Sequence, residues 1–247
     1  QRQAQAGQMG EQLYTVVFKR RAQKKTKTGR TREAWERDYR APRSEDDNAA
    51  AIATKLAEKM PEWEAMDILP NEPIPVGNKT SEPLRYGMSR WRHIFSPRQL
   101  LAHGISVEVF GELLADARKN GQLSATVQAA FGNLSFSLDK LLNYNSRMSV
   151  WMPTREVVAN TFNRHDFAFC WSHAEMALLI EGLGYDWAIE QTAKCIGELV
   201  ALVRPAEVRA ADAGELRLSG SASDDCLLAT RHSPFPLSIT LTCKSGD

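Results

Sequence analysis

Five prolines lie between residues 61 and 83, and no other feature limits the possible folds of this chain as strongly. Proline has no backbone N–H, and it biases the preceding residue away from helical backbone angles. The segment therefore predicts an extended connector. Upstream of it, residues 49–60 carry apolar side chains at helical spacing, so we predict a helix that ends at Pro61. We interpret residues 44–82 as this helix and its proline-rich connector.

The first 43 residues combine a strand pattern with a strong positive charge. Leu13–Phe18 is β-branched and aromatic over strand length, and Trp35–Tyr39 begins either a second strand or a short helix. Twelve Lys or Arg residues face four acids in this segment, and residues 19–32 contain eight basic residues and no acid. We expect this basic block to be a loop that attracts polyanions by counterion release, with a simple solvated hairpin loop as the alternative. The lysines expected to contact DNA are Lys24, Lys25 and Lys27.

Residues 83–206 are predicted to be mainly helical. Ser96 and Pro97 are typical of a helix start, and the helix is expected to continue to about residue 118 and stop at Gly121. Further helices are predicted over residues 124–148 and 187–203, and a short strand over residues 207–211. The predicted fold class is therefore α+β, mainly α with a few strands, and residues 207–247 form a divergent tail after the helical module.

Composition and motifs exclude several classes of protein. At 43% hydrophobic and 25% charged residues the chain is globular, and no apolar run reaches the roughly 18 residues of a membrane span. Residues 1–10 are polar and contain no signal-peptide core, so we expect a cytoplasmic protein, cut from a longer chain because no initiator methionine is present. The four cysteines have no metal-site spacing and are expected to be reduced thiols. His173-Ala-Glu175 matches half of a zinc-deaminase motif, but its P-C-x-x-C partner is missing, and we expect His173 on a helix surface.

Two clusters of aromatic, arginine and amide residues are the most informative part of the sequence. Such residues, outside an apolar period, suit stacking on bases and bonding to phosphates or base edges. An internal polar network that holds helices together is the alternative. The first cluster contains Arg85, Tyr86, Gly87, Arg90, Trp91, Phe95, Arg98 and Gln99; the second contains Tyr144, Asn145, Ser146, Arg147, Trp151, Pro153, Arg155, Glu156, Asn160 and Phe162.

In their order and spacing these clusters resemble the large bacterial and archaeal adenine-specific DNA methylases that begin with a domain of unknown function and carry a zinc ribbon. The segments Y-G-x-x-x-W-x-x-x-F-x-x-R-Q, Y-N-S, W-x-P-x-R-E and N-x-F all occur here, and the similarity covers about residues 6–218. The resemblance implies partial α/β elements of a class I methyltransferase beside a helical insert. It also implies S-adenosylmethionine as methyl donor, double-stranded DNA as partner, and an adenine extruded from the base stack.

Roles for individual residues follow from the same resemblance. It implies that Arg85, Arg98, Arg147, Arg155 and Asn145 bind phosphates or base edges, and that Tyr86, Trp91, Tyr144 and Trp151 stack on bases. Asp212, followed by Ala213, is similar to the G-D-A element that places an acid near the cofactor. The glycine-rich cofactor loop and the D-P-P-Y motif of the family are absent from this sequence, so we expect a fragment that is inactive without the missing methyltransferase domains. A non-enzymatic nucleic-acid-binding module and a purely structural helical insert are the alternatives.

The tail departs from the family where D-P-P-Y is expected. Thr230, Arg231 and His232 can be encoded ACC-CGC-CAT, and a preceding G gives the shifted reading GAC-CCG-CCA, which is Asp-Pro-Pro. We therefore predict that residues 226–247 are an out-of-frame tail, poorly ordered or held by incidental contacts. The nucleotide sequence of the gene decides this.

Overall fold

A computed structural model describes residues 1–163, 166–203 and 239–243. The chain is a mixed α+β protein, as the sequence predicts. The described strands form a four-stranded sheet in the order β2-β1-β6-β5 and a separate β3–β4 hairpin, and every pairing is antiparallel. The strands are β1 (Gln12–Lys25), β2 (Thr31–Arg40), β3 (Val150–Met152), β4 (Val157–Ala159), β5 (Ser172–Met176) and β6 (Ile239–Cys243); the helices are α1 (Arg2–Gln5), α2 (Ala49–Ala65), α3 (Ser81–Arg85), α4 (Pro97–Lys119), α5 (Ala125–Tyr144) and α6 (Gly184–Val203).

The basic segment is part of a long β hairpin. Strand β1 continues through most of the predicted loop and pairs with β2 from Val16↔Arg40 to Lys25↔Thr31. The expectation of a loop starting after Phe18 is therefore wrong, and Trp35–Tyr39 belongs to a strand. The turn between the strands is short and is closed by backbone hydrogen bonds between Thr26 and Arg30 and between Gly29 and Thr26. Gly29 has a φ of +81°, a backbone conformation that glycine adopts without strain.

Helix α2 does not end at Pro61, and this prediction is wrong. The helix continues to Ala65, because the turn after the proline carries Trp63, which is fully buried against Leu69 of the connector and Leu101 of α4. A proline inside a helix costs about 3 kcal/mol. Burying roughly 150–250 Å² of indole at about 25 cal/mol per Å² contributes about 4–6 kcal/mol, so tertiary packing outweighs the local penalty.

After α2 the proline-rich segment contains no helix up to residue 80, but helix α3 (Ser81–Arg85) includes Pro83, so the predicted extended connector is confirmed only in part. Its backbone bonds to the chain that follows α3: Ile74 donates to the Ser89 carbonyl at 2.9 Å, and Trp91 donates to the Glu72 carbonyl at 3.1 Å. The connector is thereby bound to the helical module along its length.

Two of the three long helices of the module begin where the sequence predicts, and α6 begins at Gly184, three residues before the predicted start at residue 187. Ser96 caps α4 by accepting from the Gln99 N–H, and Ser124 caps α5 by accepting from the Val127 N–H. Helix α4 ends at Lys119, before Gly121. Helix α5 ends at Tyr144, four residues before the predicted Met148, because a buried polar turn begins at Asn145. No helix in the described part of the chain is long and apolar enough to cross a membrane.

Part of the tail forms a strand. Ile239–Cys243 is β6, which pairs with residues 12–17 of β1 on one side and with β5 on the other. The predicted strand at residues 207–211 and the candidate cofactor residue Asp212 lie outside the described residues. The out-of-frame origin of residues 226–247 stays a prediction.

Candidate nucleic-acid interface

The two clusters singled out in the sequence meet in the structure. Arg147 joins them: its backbone N–H donates to the Ile94 carbonyl at 2.7 Å, and its Nη1 donates to the His93 carbonyl at 2.8 Å. The Arg147 Nε also donates to Glu11 Oε1 at 2.6 Å, ahead of strand β1. The guanidinium is thus held by two partners inside the protein, and Arg147 ties the two clusters to the N-terminal segment.

The aromatic residues of the first cluster lie in an apolar core. Tyr86 stacks on Phe169 with ring centroids 4.0 Å apart, and Trp91 packs against Phe167 at 5.3 Å. Both rings pack around the buried residues Ile74, Met88, Ile94, Met148 and Phe169. Their described contacts give these two rings a structural role, and their stacking on bases stays a prediction.

Two aromatic residues of the second cluster, Tyr144 and Trp151, are partly buried against another core, whereas Phe162 is 64% exposed. Tyr144 meets Trp187 edge to face at 5.4 Å, and Trp151 meets Tyr39 edge to face at 6.2 Å. Tyr144 and Trp151 also pack against Val17, Val158 and Ala174, which joins the hairpin β3–β4 to the main sheet. Here too the rings hold elements of the fold together.

A buried polar network lies between the two cores. The Asn145 side chain accepts from the Met176 N–H at 2.7 Å, while its backbone carbonyl lies 3.0 Å from His103 Nε2. Asn145 is 1% exposed, so its predicted contact with DNA requires the network to open. Burial lowers the pKa of His103, although the Asn145 hydrogen bond and the Glu175 charge act in the opposite direction.

Glu175 is the centre of charge in this network. Its Oε1 accepts from the Ser96 hydroxyl at 2.6 Å and lies 3.6 Å from His173 Nε2, while its Oε2 lies 3.5 Å from Arg98 Nε. Burial alone raises the pKa of Glu175, but the His173 hydrogen bond, the charges of His173 and Arg98 and the Ser96 hydroxyl outweigh it, so the pKa is lowered. Glu175 is therefore a carboxylate at neutral pH.

This network forms one wall of a cleft of about 400 Å³ at the start of α4. Arg98 faces the cleft together with Arg43 and Asp47, and its side chain is about one-third exposed. The predicted contact residue Arg98 is thus partly available to a ligand but is engaged by Glu175. The one residue that the family resemblance gives to S-adenosylmethionine, Asp212, is not described, so no described residue is assigned to the cofactor.

Glu175, His173, Ser96 and His103 were not predicted as a unit. The prediction of His173 on a helix surface is wrong: it lies in strand β5 and is fully buried. His173 and Glu175 are two residues apart, the spacing that places two side chains on the same face of a strand. This spacing is the only sign in the sequence that the two residues lie together. Their contact with Ser96 spans 79 residues and has no signal in the sequence.

Arg85 and Arg155 are the two predicted arginines that lie exposed. Arg85 ends helix α3, and Arg155 lies in the tight turn between β3 and β4. Neither guanidinium has an ion pair among the described residues. They are free to bind an anion, but they come from different turns of the protein.

The strongest exposed charge is in the β1–β2 hairpin. Near its base the cations are paired with acids: Arg20 with Asp38 at 2.9 Å, Arg21 with Glu33 at 2.8 Å and Lys24 with Glu36 at 3.7 Å. The outer end of the hairpin is the hairpin tip, which we define as residues 24–32; its first residue, Lys24, is the cation paired with Glu36. The tip contains no acid, and four of its cations have no ion pair among the described residues: Lys25, Lys27, Arg30 and Arg32.

Like charges also oppose each other across the hairpin. In the register of the two strands, Lys24 lies directly opposite Arg32, and Lys19 lies opposite Arg37. Like charges directly opposite on two strands destabilise the pairing. Burial and the charge of Arg37 lower the pKa of Lys19, and the conflict there is reduced because Arg37 is bound to Glu156 at 3.2 Å. At Lys24 and Arg32 both side chains are exposed, so a bound anion would relieve the repulsion.

No protein family, curated protein or solved structure compared with this chain matches it. In the described residues no three His, Cys, Asp or Glu side chains are grouped so that they could hold a metal ion.

Proposed function

We propose that this chain is a DNA-binding part of an S-adenosylmethionine-dependent, adenine-specific DNA methyltransferase and is inactive on its own. The observation that carries DNA binding is the hairpin tip, where four exposed cations, Lys25, Lys27, Arg30 and Arg32, have no ion pair among the described residues. A polyanion gains from such a site by releasing condensed counterions. The methyltransferase part of the proposal rests on the order and spacing of the two sequence clusters. It is supported by the contact that Arg147 makes between them, because residues of one functional unit must lie together.

Within this proposal the clusters and the hairpin have different tasks. The hairpin tip, Arg85 and Arg155 bind DNA, and the buried aromatic rings and Asn145 build the scaffold that holds them. The partial α/β elements of a class I methyltransferase, the cofactor contact of Asp212 and the catalytic motifs belong to the parts of the parent protein beyond the described residues.

A second candidate is a non-enzymatic nucleic-acid-binding module. It is favoured by the fact that the hairpin tip is formed within this chain alone, without any contribution from a catalytic domain. The two candidates differ in whether the missing methyltransferase domains complete an active site around the same DNA.

DNA binding is tested by fluorescence anisotropy with a labelled duplex of about 25 base pairs, titrated from about 50 to 200 mM salt. The variant K24A/K25A/K27A removes three cations from the hairpin tip. The matched control K55A/K119A/K194A removes three exposed lysines from α2, α4 and α6. The tip variant should lower the slope of log K against log salt by up to about 3 and weaken binding by about tenfold or more at 50 mM salt.

The control variant should bind as the unmodified chain does. Equal losses in the two variants, or no binding to the duplex at about 50 mM salt, would remove the hairpin as the DNA contact. Inactivity is tested separately with methyl-labelled S-adenosylmethionine and adenine-containing DNA. No transfer is expected, and donor-dependent methylation by this chain alone would overturn that statement.

A further inference from the structure

The outer part of the β1–β2 hairpin is exposed on both faces. Residues 23–25 of β1 and residues 31–33 of β2 are all exposed. Successive strand residues point to opposite faces, so three exposed residues in a row on each strand mean that solvent reaches both faces. Strand β6 pairs with β1 only as far as Val17. The hairpin therefore extends from the sheet as a free two-stranded ribbon.

The dimensions of this ribbon match one groove of duplex DNA. Six residue pairs, from Arg20↔Glu36 to Lys25↔Thr31, span about 17 Å at about 3.4 Å per residue, with the two strands about 4.8 Å apart. The major groove of B-DNA is about 12 Å wide and admits a two-stranded ribbon, whereas the minor groove, about 6 Å wide, admits one only if the duplex is deformed.

The chemistry of the ribbon also differs between its base and its tip. The acids of the hairpin all lie on β2, between the tip and the base. Glu33, the acid nearest the tip, is bound by Arg21. One face of the outer ribbon presents Lys24 and Arg32, and the other presents Gln23, Lys25, Thr31 and Glu33, whose carboxylate is bound by Arg21. Arg and Lys side chains bond to guanine O6 and N7, and Gln bonds to adenine N6 and N7, all of which lie in the major groove.

We propose that the β1–β2 ribbon inserts its tip into the major groove of double-stranded DNA, with Lys24 and Arg32 between the flanking phosphates and the opposite face toward the base edges. This rests on the proposed DNA binding and adds the groove and the binding element. The like-charge pair Lys24 and Arg32 is then neutralised by phosphate from both strands of the duplex.

The experiment compares one duplex in three forms by anisotropy at about 50 mM salt: unmodified, with its cytosines replaced by glucosylated 5-hydroxymethylcytosine, and saturated with the minor-groove ligand netropsin. The sugar fills the major groove and leaves the phosphates unchanged. We expect the glucosylated duplex to bind about tenfold or more weakly, and netropsin to change the affinity by less than twofold. The variant K24A/K25A/K27A should lose most of the difference between the unmodified and glucosylated duplexes, while K55A/K119A/K194A keeps it.

Each other outcome overturns a defined statement. Equal affinity for the unmodified and glucosylated duplexes shows binding to the backbone alone, which refutes groove insertion but leaves the proposed function standing. Competition by netropsin instead of the sugar refutes the major groove in favour of the minor groove. Absence of binding to every duplex refutes the proposed function itself. The melting temperature of each variant is measured alongside, because substitutions at exposed ribbon positions should leave it within a degree or two of the unmodified chain.

Discussion

Substituting alanine for Gly104 tests the packing that carries helix α2 through Pro61. In an exposed helix interior, glycine is about 1 kcal/mol less favourable than alanine, so the sequence alone predicts that G104A stabilises α4. The structure reverses this expectation. A Cβ at residue 104 would lie 2.7 Å from Cε3 of Trp63 and closer still to Cζ3 and Cη2. The indole is rigid and fully buried, so it has no free space to move into.

The expected cost is the balance of two terms. Overpacking a core site costs about 1–3 kcal/mol. Because the Cβ would meet a rigid ring at so short a distance, the overpacking cost falls in the upper part of that range, about 2–3 kcal/mol, and subtracting a helix-propensity gain of about 1 kcal/mol leaves a net loss of about 1–2 kcal/mol for G104A. At about 2–4 °C per kcal/mol for a chain of this size, the melting temperature should fall by about 2–8 °C.

Gly111 provides the control in the same helix, because a Cβ there meets no atom within 4 Å. G111A should raise the free energy of unfolding by about 0.5–1 kcal/mol, as judged by urea titration followed by circular dichroism. G104A and W63F should be non-additive by about 1 kcal/mol, because the smaller ring removes the clash. If G104A stabilised the chain as much as G111A does, Trp63 would not pack on α4, and the explanation for the helix through Pro61 would be wrong.

Two further predictions concern the buried network around Glu175. S96A should lower the free energy of unfolding by about 2–4 kcal/mol, measured by urea titration, because it removes both the helix cap and a donor to a buried carboxylate. The control S124A removes only an exposed cap and should cost about 1 kcal/mol. Equal costs would contradict the Ser96–Glu175 contact. Folding lowers the pKa values of both His103 and Glu175. Each group therefore contributes to the free energy of unfolding above its ordinary pKa, and this contribution is lost on acidification. The loss begins at about pH 6.5 for His103 and at about pH 4.5 for Glu175. H103Q should therefore flatten the loss of stability between pH 7 and 5 and E175Q the loss below pH 4.5, and curves parallel to that of the unmodified chain would refute these assignments.

The local elements of this protein were determined by its sequence. The starts of α4 and α5 are set by Ser96 and Ser124, whose hydroxyls bond to N–H groups three residues away, so a few neighbouring residues carry the whole signal. The extended part of the connector is likewise determined locally, by its prolines. The basic block without acids is evident from the sequence alone. The prediction of the hairpin tip as a site for a polyanion depends on charge alone.

Only the tertiary structure decided what the other residues do. The Tyr and Trp side chains that suit base stacking pack against two cores, and Asn145 lies in the buried polar network, because burial depends on which distant surfaces meet. Helix α2 passes through Pro61 because Trp63 has a site on α4 to fill. Glu175 becomes a buried carboxylate because Ser96, 79 residues away, and Arg98 reach it. Helix capping and backbone preference act over three or four residues, so they can be predicted from neighbouring residues. Packing and desolvation act between segments that meet only when the chain folds.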